Sequence, residues 1–505
     1  MGNGMSTQES VETERKYDAD LETPLPAFED ITGVEQVADP ADHQLEAVYF
    51  DTESLVLAKH RITLRRRSGG TDSGWHLKLP ADRDNRVEIQ APLGQPEMVP
   101  EELAERLLVF TRGEELRPVA RIHTRRTLHR LHGSDDVTLA DFVDDHVTAE
   151  TLHPRQLESR WREWEIELVH GDESLFDSAE SVLSGAGATP SGHASKLARA
   201  FGTAWPAAAP APPKARPKGP AGDAIVAYIA AQIAEITELD SSVRQGVDDA
   251  VHRMRSATRR LRSTLSAYGK LFDADAVDLL KAELKWLSKV LGKARDAEVL
   301  RDRIGELMNE QPDGSVPAPA ASRINDELEA AFNSGYRETL RSLETKRYFR
   351  LLGSLEKFRD EPPAKPRAGK KARPVTAKLA GKAVKRLRRS QKAAAGQTGV
   401  ESDRVLHQVR KDAKRLRHAA EALRDVHRKP AVKLARNAQK IQKILGEHQD
   451  SVVSRSVLLR LAGDAGGSVE GSSPYGPLLA AEKQRAADSA ARYEKLARKK
   501  RLHPL

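Results

Sequence analysis

The 505-residue chain contains no cysteine, few aromatic residues and no long apolar run. Without cysteine it can form neither a disulfide framework nor a reactive thiolate. No apolar run approaches the roughly 18 residues that a membrane span requires. The acidic N-terminus also lacks the basic and then apolar order of a signal peptide. We therefore expect a cytoplasmic protein without membrane contacts, and its length predicts two or three domains.

Charge is distributed unevenly along the chain. From residue 223 onward there are 57 Lys and Arg and 36 Asp and Glu, a net charge of +21. Before residue 223 the counts are 25 and 38, a net charge of −13. Such a split predicts two modules with different functions. The basic module is expected to bind a polyanion: nucleic acid, an acidic membrane surface or polyphosphate.

The first part of the chain has the patterns of β-strands. Runs with alternating or β-rich composition occur at residues 43–52, 60–67, 74–79, 86–93, 120–131, 136–143 and 162–169. Helices are predicted at 101–109 and 192–201. Many strands in series with few helices predict an antiparallel sandwich or barrel.

Residues 11–17 have an unusual pattern for a strand. Because successive side chains of a strand point to opposite faces, Glu12, Glu14 and Lys16 share one face. The opposite face is not apolar either. The segment is therefore a surface edge strand or a disordered acidic tail, or else it lines a polar cavity, with carboxylates for a metal and a lysine for an anion.

Rows of charged or polar residues recur on other predicted strands. They are Arg65 and Arg67; His76 and Lys78; Arg86, Glu88 and Gln90; Arg121, His123 and Arg125; and Glu163, Glu165 and Glu167. Rows of both signs are typical of a closed barrel with a polar lumen and an apolar exterior that helices cover. A sheet with one solvated face remains the alternative at this point.

The second part of the chain has a helical period and an internal repeat. A Pro/Ala-rich linker at 204–222 precedes it, and residues 361–374 interrupt it. The motif His-x-x-Arg-x-x-x-basic-Arg-Leu-Arg begins at His252 and again at His407. A later Leu-Gly-x-x-x-Asp motif begins at Leu291 and at Leu445. The two offsets, 155 and 154, predict two related bundles of about four helices each.

Each repeated motif places a basic stripe on one helix face. The stripes are His252, Arg255, Arg259 and Arg262 in the first copy, and His407, Arg410, Lys414 and Arg417 in the second. A solvated surface face is one interpretation. A bound multivalent phosphate, which would relieve the like-charge repulsion, is the other. Nucleic acid is less suited, since neither motif holds an aromatic residue for base stacking.

These motifs resemble the CHAD family, the conserved histidine α-helical domain, over about residues 223–505. The resemblance implies a fold of two helical bundles that binds inorganic polyphosphate in a basic groove. One departure is Glu447-His448-Gln449, which replaces the more basic Lys293-Ala294-Arg295 of the first copy. The two halves are therefore not expected to bind equally.

The N-terminal part resembles the CYTH family of triphosphate tunnel metalloenzymes, which includes thiamine triphosphatases and one class of adenylate cyclase. The resemblance covers residues 9–200. It rests on Glu12-x-Glu14-x-Lys16, Leu64-Arg65-x-Arg67, Trp75-His76-Leu77-Lys78, Arg86-Val87-Glu88, the strand around Arg125, Glu163-x-Glu165-x-Glu167 and Ser195-Lys196. A CYTH module followed by a CHAD module is a known pairing. Gln90 and His76 depart from the residues common in relatives.

The CYTH resemblance implies an assignment of roles inside a tunnel. Glu12, Glu14 and Lys16 are the expected catalytic residues, with Lys16 positioning an attacking water or a carboxylate base. The expected cations for a triphosphate are Arg65, Arg67, Lys78, Arg125 and Lys196. The expected ligands of Mg²⁺ or Mn²⁺ are Glu12, Glu14, Glu88, Glu165, Glu167 and Asp144, with Asp145 as the alternative to Asp144.

The sequence thus predicts an α+β multidomain protein. It comprises an N-terminal antiparallel β-barrel or tunnel (1–203), the linker (204–222) and an all-α domain of two four-helix bundles (223–505; repeats about 223–360 and 376–505). The expected function is metal-dependent hydrolysis of inorganic triphosphate or a related triphosphate, with the helical domain binding polyphosphate. A non-catalytic protein that binds polyphosphate or its granules, and an adenylate cyclase, are the alternatives.

Overall fold

A computed structural model of the chain describes residues 8–80, 85–134, 136–207, 211–397, 399–464, 473–499 and 505, and does not describe the side chains of residues 8, 11, 12, 85, 86, 400, 464 and 499. The chain separates into two compact units at residue 209. Among the described residues, no helix combines the length and the apolar character that crossing a membrane would take.

The first unit is built on one antiparallel sheet. Its strands are β1 (Gln8–Ala19), β2 (Gln36–Val37), β3 (Ala41–Asp51), β4 (Thr63–Ser68), β5 (Gly74–Pro80), β6 (Asn85–Ala91), β7 (Arg117–His132), β8 (Thr138–Thr151), β9 (Leu157–Leu168) and β10 (Thr189–Pro190). Eight of them close a barrel in the order β1-β6-β5-β4-β3-β7-β8-β9, since β1 pairs with both β6 and β9. The predicted barrel is therefore confirmed.

The described residues of this unit contain four α-helices: α1 (Val56–Lys59), α2 (Glu101–Thr111), α3 (Ser174–Gly185) and α4 (Lys196–Phe201). Apolar residues on the outer face of the barrel form clusters with them. Trp164 and Ile166 of β9 cluster with Leu175, Phe176 and Leu183 of α3. Trp75 and Leu77 of β5 cluster with Leu103 and Leu107 of α2. These clusters lie on the outer face of the barrel, whereas charged and polar side chains form most of the lumen lining, together with Leu45, Ala47, Tyr49 and Ile122.

The second unit is all-helical, as predicted. Its helices are α5 (Ala221–Arg244), α6 (Ala250–Tyr268), α7 (Ala274–Asn309), α8 (Ala318–Leu343), α9 (Lys346–Asp360), α10 (Ala372–Ala394), α11 (Gly399–Glu421), α12 (Arg424–His427), α13 (Lys429–Asp464) and α14 (Gly476–Lys499). Helix α5 begins at Ala221, inside the segment predicted as linker. Pro220, which has no N–H to leave unsatisfied, stands at its N-cap.

The internal repeat is visible in matching helices. Helices α7 and α13 each contain 36 residues. Their buried positions coincide at an offset of 154, as at Leu284 and Ala438, and at Leu291 and Leu445. Each half has four long helices, to which the first half adds α9 and the second adds the single turn α12. Helix α9 follows α8 in the first half, and in the described residues of the second half no helix follows α14.

Candidate active site in the barrel and basic cavity in the helical unit

The lumen of the barrel is lined by charged residues from strands on opposite sides. Its charged lining residues are Glu14, Lys16, Arg65, Arg67, Asp72, Lys78, Arg126, Glu165, Glu167 and Lys196. The remaining cavity is only about 90 Å³, because these long side chains fill much of the lumen. Acids and bases that are far apart in sequence are thus gathered in one enclosed space.

The acidic side of the lumen is formed by β1 and β9. These strands pair with Glu14 opposite Glu167 and Lys16 opposite Glu165. The Lys16 ammonium lies 2.9 Å from a Glu14 oxygen and also donates to Glu165. Burial alone would raise the pKa of Glu14, but attraction by Lys16 and Lys78 outweighs it and lowers that pKa to about 2. Burial would lower the pKa of Lys16, but Glu14 and Glu165 raise it, so Lys16 stays charged at neutral pH.

The basic side of the lumen is formed by β4 and β5. Arg65, Arg67 and Lys78 all line the cavity. Burial, then repulsion from Arg65 and Arg126, lowers the pKa of Arg67 to about 9. A guanidinium held in this unfavourable environment gains from a nearby anion more than an exposed one does, because less water screens the attraction.

The prediction for Arg125 is wrong by one residue. Arg121, His123 and Arg125 point to solvent, whereas Thr124 and Arg126 line the lumen. Arg126 donates to both Asp145 oxygens at 2.8 and 2.6 Å, and to Glu165 at 3.3 Å. The continuous charged row on β7 is its solvated face, and the lumen face carries one arginine among smaller side chains.

The choice of Asp144 as a metal ligand is also wrong. Asp144 accepts hydrogen bonds from Arg162, at 2.8 and 2.9 Å, and from the Trp164 indole at 3.1 Å, on the outer face of the barrel. Asp145, the alternative, is fully buried and faces the lumen residues Arg126 and Lys196. Adjacent residues of a strand point to opposite faces, so only one of the pair can reach the lumen.

Lys196 is held by three carboxylates that the sequence did not assign to it. Its ammonium lies 2.8 Å from an oxygen of each of Asp145, Glu163 and Glu165. These three carboxylates are close enough together to ligate a metal ion, but in this arrangement the ammonium takes that position. Burial alone would lower the pKa of Lys196, yet the three acids raise it well above its ordinary value. Lys196 is therefore permanently charged.

Glu88 lies on the basic side of the lumen and already has several partners. Its carboxylate lies 2.8 Å from His76 Nδ1, 3.7 Å from the Lys78 ammonium and 4.0 Å from Arg65. Gln90 donates to its other oxygen at 3.0 Å. Burial lowers the pKa of His76 to about 4, so His76 is neutral. Glu88 thus orients cations, and its predicted role as a metal ligand would require it to exchange these contacts.

Glu14, Glu165 and Glu167 could together hold a hard divalent cation, although Glu165 would have to exchange its contacts with Lys16, Lys196 and Arg126. All three line one cavity and offer the oxygen ligands that Mg²⁺ and Mn²⁺ prefer. Burial raises the pKa of Glu167. Attraction by Lys78 opposes this shift, whereas repulsion from Glu14 and Glu165 adds to it. A divalent cation would remove that repulsion. Glu12 lies on β1, but its side chain is outside the described residues, so its predicted role stays a prediction.

The helical unit contains a second charged cavity, between the two repeated helices α6 and α11. We call it the central cavity; its volume is about 570 Å³. Eight cationic residues line it: Arg259, Arg262, Lys281, Lys285, Arg410, Lys411, Lys414 and Arg415. Asp278 is the acidic residue in its lining. Four of the eight belong to the predicted stripes; sequence reasoning missed Lys281, Lys285, Lys411 and Arg415.

Lys414 shows how crowded these cations are. Burial, then repulsion from Arg259, Arg410, Arg255 and Arg417, lowers its pKa to about 6. Within the described residues, the buried Nε donors of Arg255 and Arg410 have no hydrogen-bond partner. Donors in such a state are suited to an anionic acceptor.

The other predicted stripe residues lie beside the cavity lining. Arg255 pairs with Asp296 of the second motif at 2.9 Å, and Arg417 donates to Glu421 at 2.7 Å. Burial lowers the pKa of His252, and burial together with Lys411 lowers that of His407, so both are neutral at pH 7. Gly292 and Gly446 of the second motif lie next to the guanidinium groups of Arg255 and Arg410.

Comparison with known proteins agrees with these two units. The CYTH domain model matches residues 11–201, and the CHAD domain model matches residues 227–459. The chain belongs to the family of proteins in which a CYTH domain is followed by a CHAD domain. Two uncharacterized proteins of Mycobacterium tuberculosis, Rv2226 and MT2285, are each 39% identical to it over 487 residues, which cover 94% of this chain and 93% of theirs.

Solved structures match each unit separately. The CHAD domain from the plant Ricinus communis is 23% identical and covers 59% of this chain and 99% of its own, with a TM-score of 0.47. PptA from Streptomyces chartreusis is 18% identical and covers 55% of this chain and all of its own, with a TM-score of 0.46. A putative adenylyl cyclase from Hippeastrum, HpAC1, described as having a dominant triphosphatase activity, is 19% identical and covers 38% of this chain and 96% of its own, with a TM-score of 0.24.

Proposed function

We propose that the barrel hydrolyses inorganic triphosphate or a related triphosphate with the help of a divalent metal ion. The observation that carries this proposal is the division of the lumen into two sides. Arg65, Arg67 and Lys78 lie on one side, and Glu14, Glu165 and Glu167 on the other. Fixed cations suit the phosphate oxygens, whereas carboxylates would repel them unless a metal ion lay between.

The residues of the chain supply binding, orientation and charge. Arg65, Arg67, Lys78 and Arg126 bind the phosphate oxygens in a space where little water screens the attraction. Lys16 remains protonated, so it cannot accept a proton from water; it orients the attacking water or the carboxylates beside it. Glu14, Glu165 and Glu167 would hold Mg²⁺ or Mn²⁺, which neutralises phosphate charge when bound. The water oxygen then attacks the terminal phosphorus in line as the bond to the bridging oxygen breaks; the proton of the water passes to a neighbouring carboxylate, and the bridging oxygen leaves with the shortened phosphate.

Phosphate release from a panel of substrates tests this function. Wild-type protein is incubated with inorganic triphosphate, thiamine triphosphate or ATP, each with Mg²⁺ or Mn²⁺. We expect orthophosphate from at least one of them, and a loss of about 100-fold in Glu14→Gln and Lys16→Ala, the typical effect of removing one group that stabilises the transition state. Circular dichroism checks that both variants remain folded.

The same experiment separates the alternatives. A protein that only binds polyphosphate ends releases no orthophosphate with any substrate, so the variants have no activity to lose. An adenylate cyclase converts ATP with Mn²⁺ to cyclic AMP and pyrophosphate. Either result contradicts the proposed hydrolysis.

We further propose that the helical unit binds inorganic polyphosphate in the central cavity. Eight lining Lys and Arg residues, and the buried guanidinium donors of Arg255 and Arg410 without partners beside them, support a multivalent anion there. Arg259→Gln with Arg410→Gln should weaken binding of long-chain polyphosphate about tenfold or more, since each removes a charge-assisted contact. Binding that is unchanged would contradict this site.

Microscopy of the labelled full-length chain tests the expected association with polyphosphate granules in the cytoplasm.

A further inference from the structure

A second basic surface lies on the second half of the helical unit, outside the central cavity. We call it the α12–α13 groove; its volume is about 920 Å³. Six cationic residues line it: Arg424, Arg428, Lys429, Lys433, Arg436 and Lys440. Asp425, Val432 and Asn437 complete the lining, and no residue of the groove also lines the central cavity. All six cations are exposed, and within the described part of the chain none forms an ion pair.

The duplicated fold does not require these cations. At the offset of 154, Lys429, Lys433 and Arg436 of the groove correspond to exposed positions on α7, and Lys440 corresponds to a half-buried one. The residues that correspond to Lys429, Lys433, Arg436 and Lys440 are Asp275, Leu279, Ala282 and Trp286. Conversely, Lys281 and Lys285 of the central cavity correspond to Ala435 and Gln439. At these aligned positions of α7 and α13 the two halves have therefore diverged, and each carries lysine or arginine where the other does not.

In the first half, helix α9 lies against the face of α7 that corresponds to the groove. Arg347 of α9 stacks on Trp286 with its guanidinium 4.4 Å from the ring centre, and donates to Glu283 at 2.7 and 3.0 Å. Glu283 and Trp286 correspond to Asn437 and Lys440. In the second half the corresponding face of α13 is exposed at Lys433, Arg436 and Lys440. It carries cations in place of the aromatic and acidic contacts that hold α9.

We propose that the α12–α13 groove is a second polyphosphate-binding site, independent of the central cavity; this rests on the proposed function of the helical unit. The lining contains six cations and one carboxylate, which suits a ligand with many phosphate groups. It contains no aromatic residue, so it offers no platform for stacking nucleic-acid bases.

The arrangement of the cations also suits a linear polymer. Lys429, Lys433, Arg436 and Lys440 follow one another at spacings of four, three and four residues, which keeps them on one helix face. With a rise of about 1.5 Å per residue, they extend over about 16 Å along α13. A single small anion cannot contact all of them, whereas an extended phosphate chain can.

Three full-length variants, and a fourth that combines the groove and cavity substitutions, test the proposal by titration with long-chain polyphosphate at several salt concentrations. The groove variant is Lys433→Gln with Arg436→Gln and Lys440→Gln. The cavity variant is Arg259→Gln with Arg410→Gln. The charge control is Arg323→Gln with Arg341→Gln and Lys346→Gln, three exposed cations of α8 and α9. Circular dichroism establishes that each variant is folded.

We expect the groove variant to bind polyphosphate about ten- to 100-fold more weakly than wild type. Its plot of log affinity against log salt should be less steep by about 2, the value for three lost contacts with a flexible strand. The cavity variant should keep a binding component that disappears when the groove substitutions are added. The charge control should match wild type.

Several results would overturn the inference. If the groove variant binds like the charge control, the groove takes no part. If duplex DNA or single-stranded RNA binds wild type as tightly as polyphosphate and is equally weakened by the groove substitutions, the ligand class is wrong. If wild type binds no polyphosphate, the proposed function of the helical unit fails too, and that failure is distinct because it is seen without any substitution.

Discussion

At the scale of single residues, the lumen depends on how its buried charges are balanced. Lys196 contributes one positive charge to a position surrounded by Asp145, Glu163 and Glu165. Lys16 does the same for Glu14 and shares Glu165. Carboxylates buried this closely are stable only when cations accompany them. The two lysines therefore allow the acidic side of the lumen to exist before any metal ion arrives.

Replacing Lys196 by methionine should destabilise the barrel strongly. The substitution keeps much of the side-chain volume but leaves three buried carboxylates without their shared cation, at a cost of about 3–5 kcal/mol. Urea unfolding at pH 7 measures the loss. Lys59→Met, on an exposed residue of α1, is the matched control and should change the free energy of unfolding by less than about 0.5 kcal/mol. A Lys196→Met protein as stable as this control would show that Lys196 does not hold the acids together.

Residue-scale prediction from the sequence succeeded where a motif fixed the strand face. Glu14, Lys16, Arg65, Arg67 and Lys78 all line the lumen, as predicted. It failed at Arg125 and Asp144, where a charged neighbour, Arg126 or Asp145, stands on the opposite face. Charge alone cannot distinguish two adjacent polar residues of a strand, because a shift of one residue exchanges the two faces. The buried apolar neighbours of β7 would have been the better guide.

At the scale of elements, two helices of the first bundle approach closely. Gly335 of α8 is buried where a Cβ atom would lie 2.6 Å from the backbone nitrogen of Ala294 in α7. No flexible side chain can move aside there, so the helices must separate to admit a larger residue. The absence of a side chain at position 335 thus sets the distance between α7 and α8.

Gly335→Ala should therefore destabilise the helical unit, although alanine is the better helix former. Overpacking typically costs about 1–3 kcal/mol. The control is Gly305→Ala in α7, where no described atom lies within 4 Å of the new Cβ. That substitution should stabilise by about 0.5–1 kcal/mol, because it removes the conformational freedom of glycine. Thermal unfolding of both variants checks the prediction. A stabilised Gly335→Ala would mean that α7 and α8 can move apart at little cost.

Elements were predictable where a repeat or a strong periodicity marked them. Helices α6 and α11 follow from the duplicated motif, and most strands lie close to their predicted ranges. Helix α3 was missed although Leu175, Phe176, Ala179, Val182 and Leu183 have helical spacing. Helix α9 lies inside the predicted helical region, but its role as an additional helix could not be read from the motif, because it has no repeated partner. Local pattern predicts a helix, whereas its packing partner is determined by tertiary contacts.

At the scale of the whole molecule, the two units differ in how far their buried charges are compensated. The barrel pairs acids and bases within one lumen, whereas the helical unit crowds cations into a cavity with little compensation. That crowding is unfavourable in the free protein, as the low pKa of Lys414 shows. A polyanion that restores the charge of Lys414 would also relieve the repulsion among its neighbours. The overall charge predicts a polyanionic ligand, but it does not indicate which residues bear the repulsion.

Binding of polyphosphate to the helical unit should therefore depend on pH through Lys414. Its pKa is about 6 in the folded protein, against an ordinary value of 10.5. Between these two pKa values Lys414 is mostly neutral in the free protein, whereas a bound anion favours its charged form. Binding should thus take up a proton, and affinity should rise as pH falls from about 9 towards 6.

Titration calorimetry in buffers with different ionisation enthalpies measures that proton uptake. In Lys414→Met the uptake over this range should largely disappear. Wild type and Lys414→Met with the same proton uptake would assign the pH dependence to another group.

The most direct test of the central claim, that chemistry takes place inside the barrel, compares two neighbouring arginines. Arg126 lines the lumen and Arg125 faces solvent. Orthophosphate release from inorganic triphosphate with Mg²⁺ should be unchanged in Arg125→Ala and reduced about 100-fold in Arg126→Ala. Unfolding curves show whether both proteins are folded at the assay temperature. A loss of activity in Arg125→Ala with full activity in Arg126→Ala would contradict the claim that hydrolysis takes place inside the barrel.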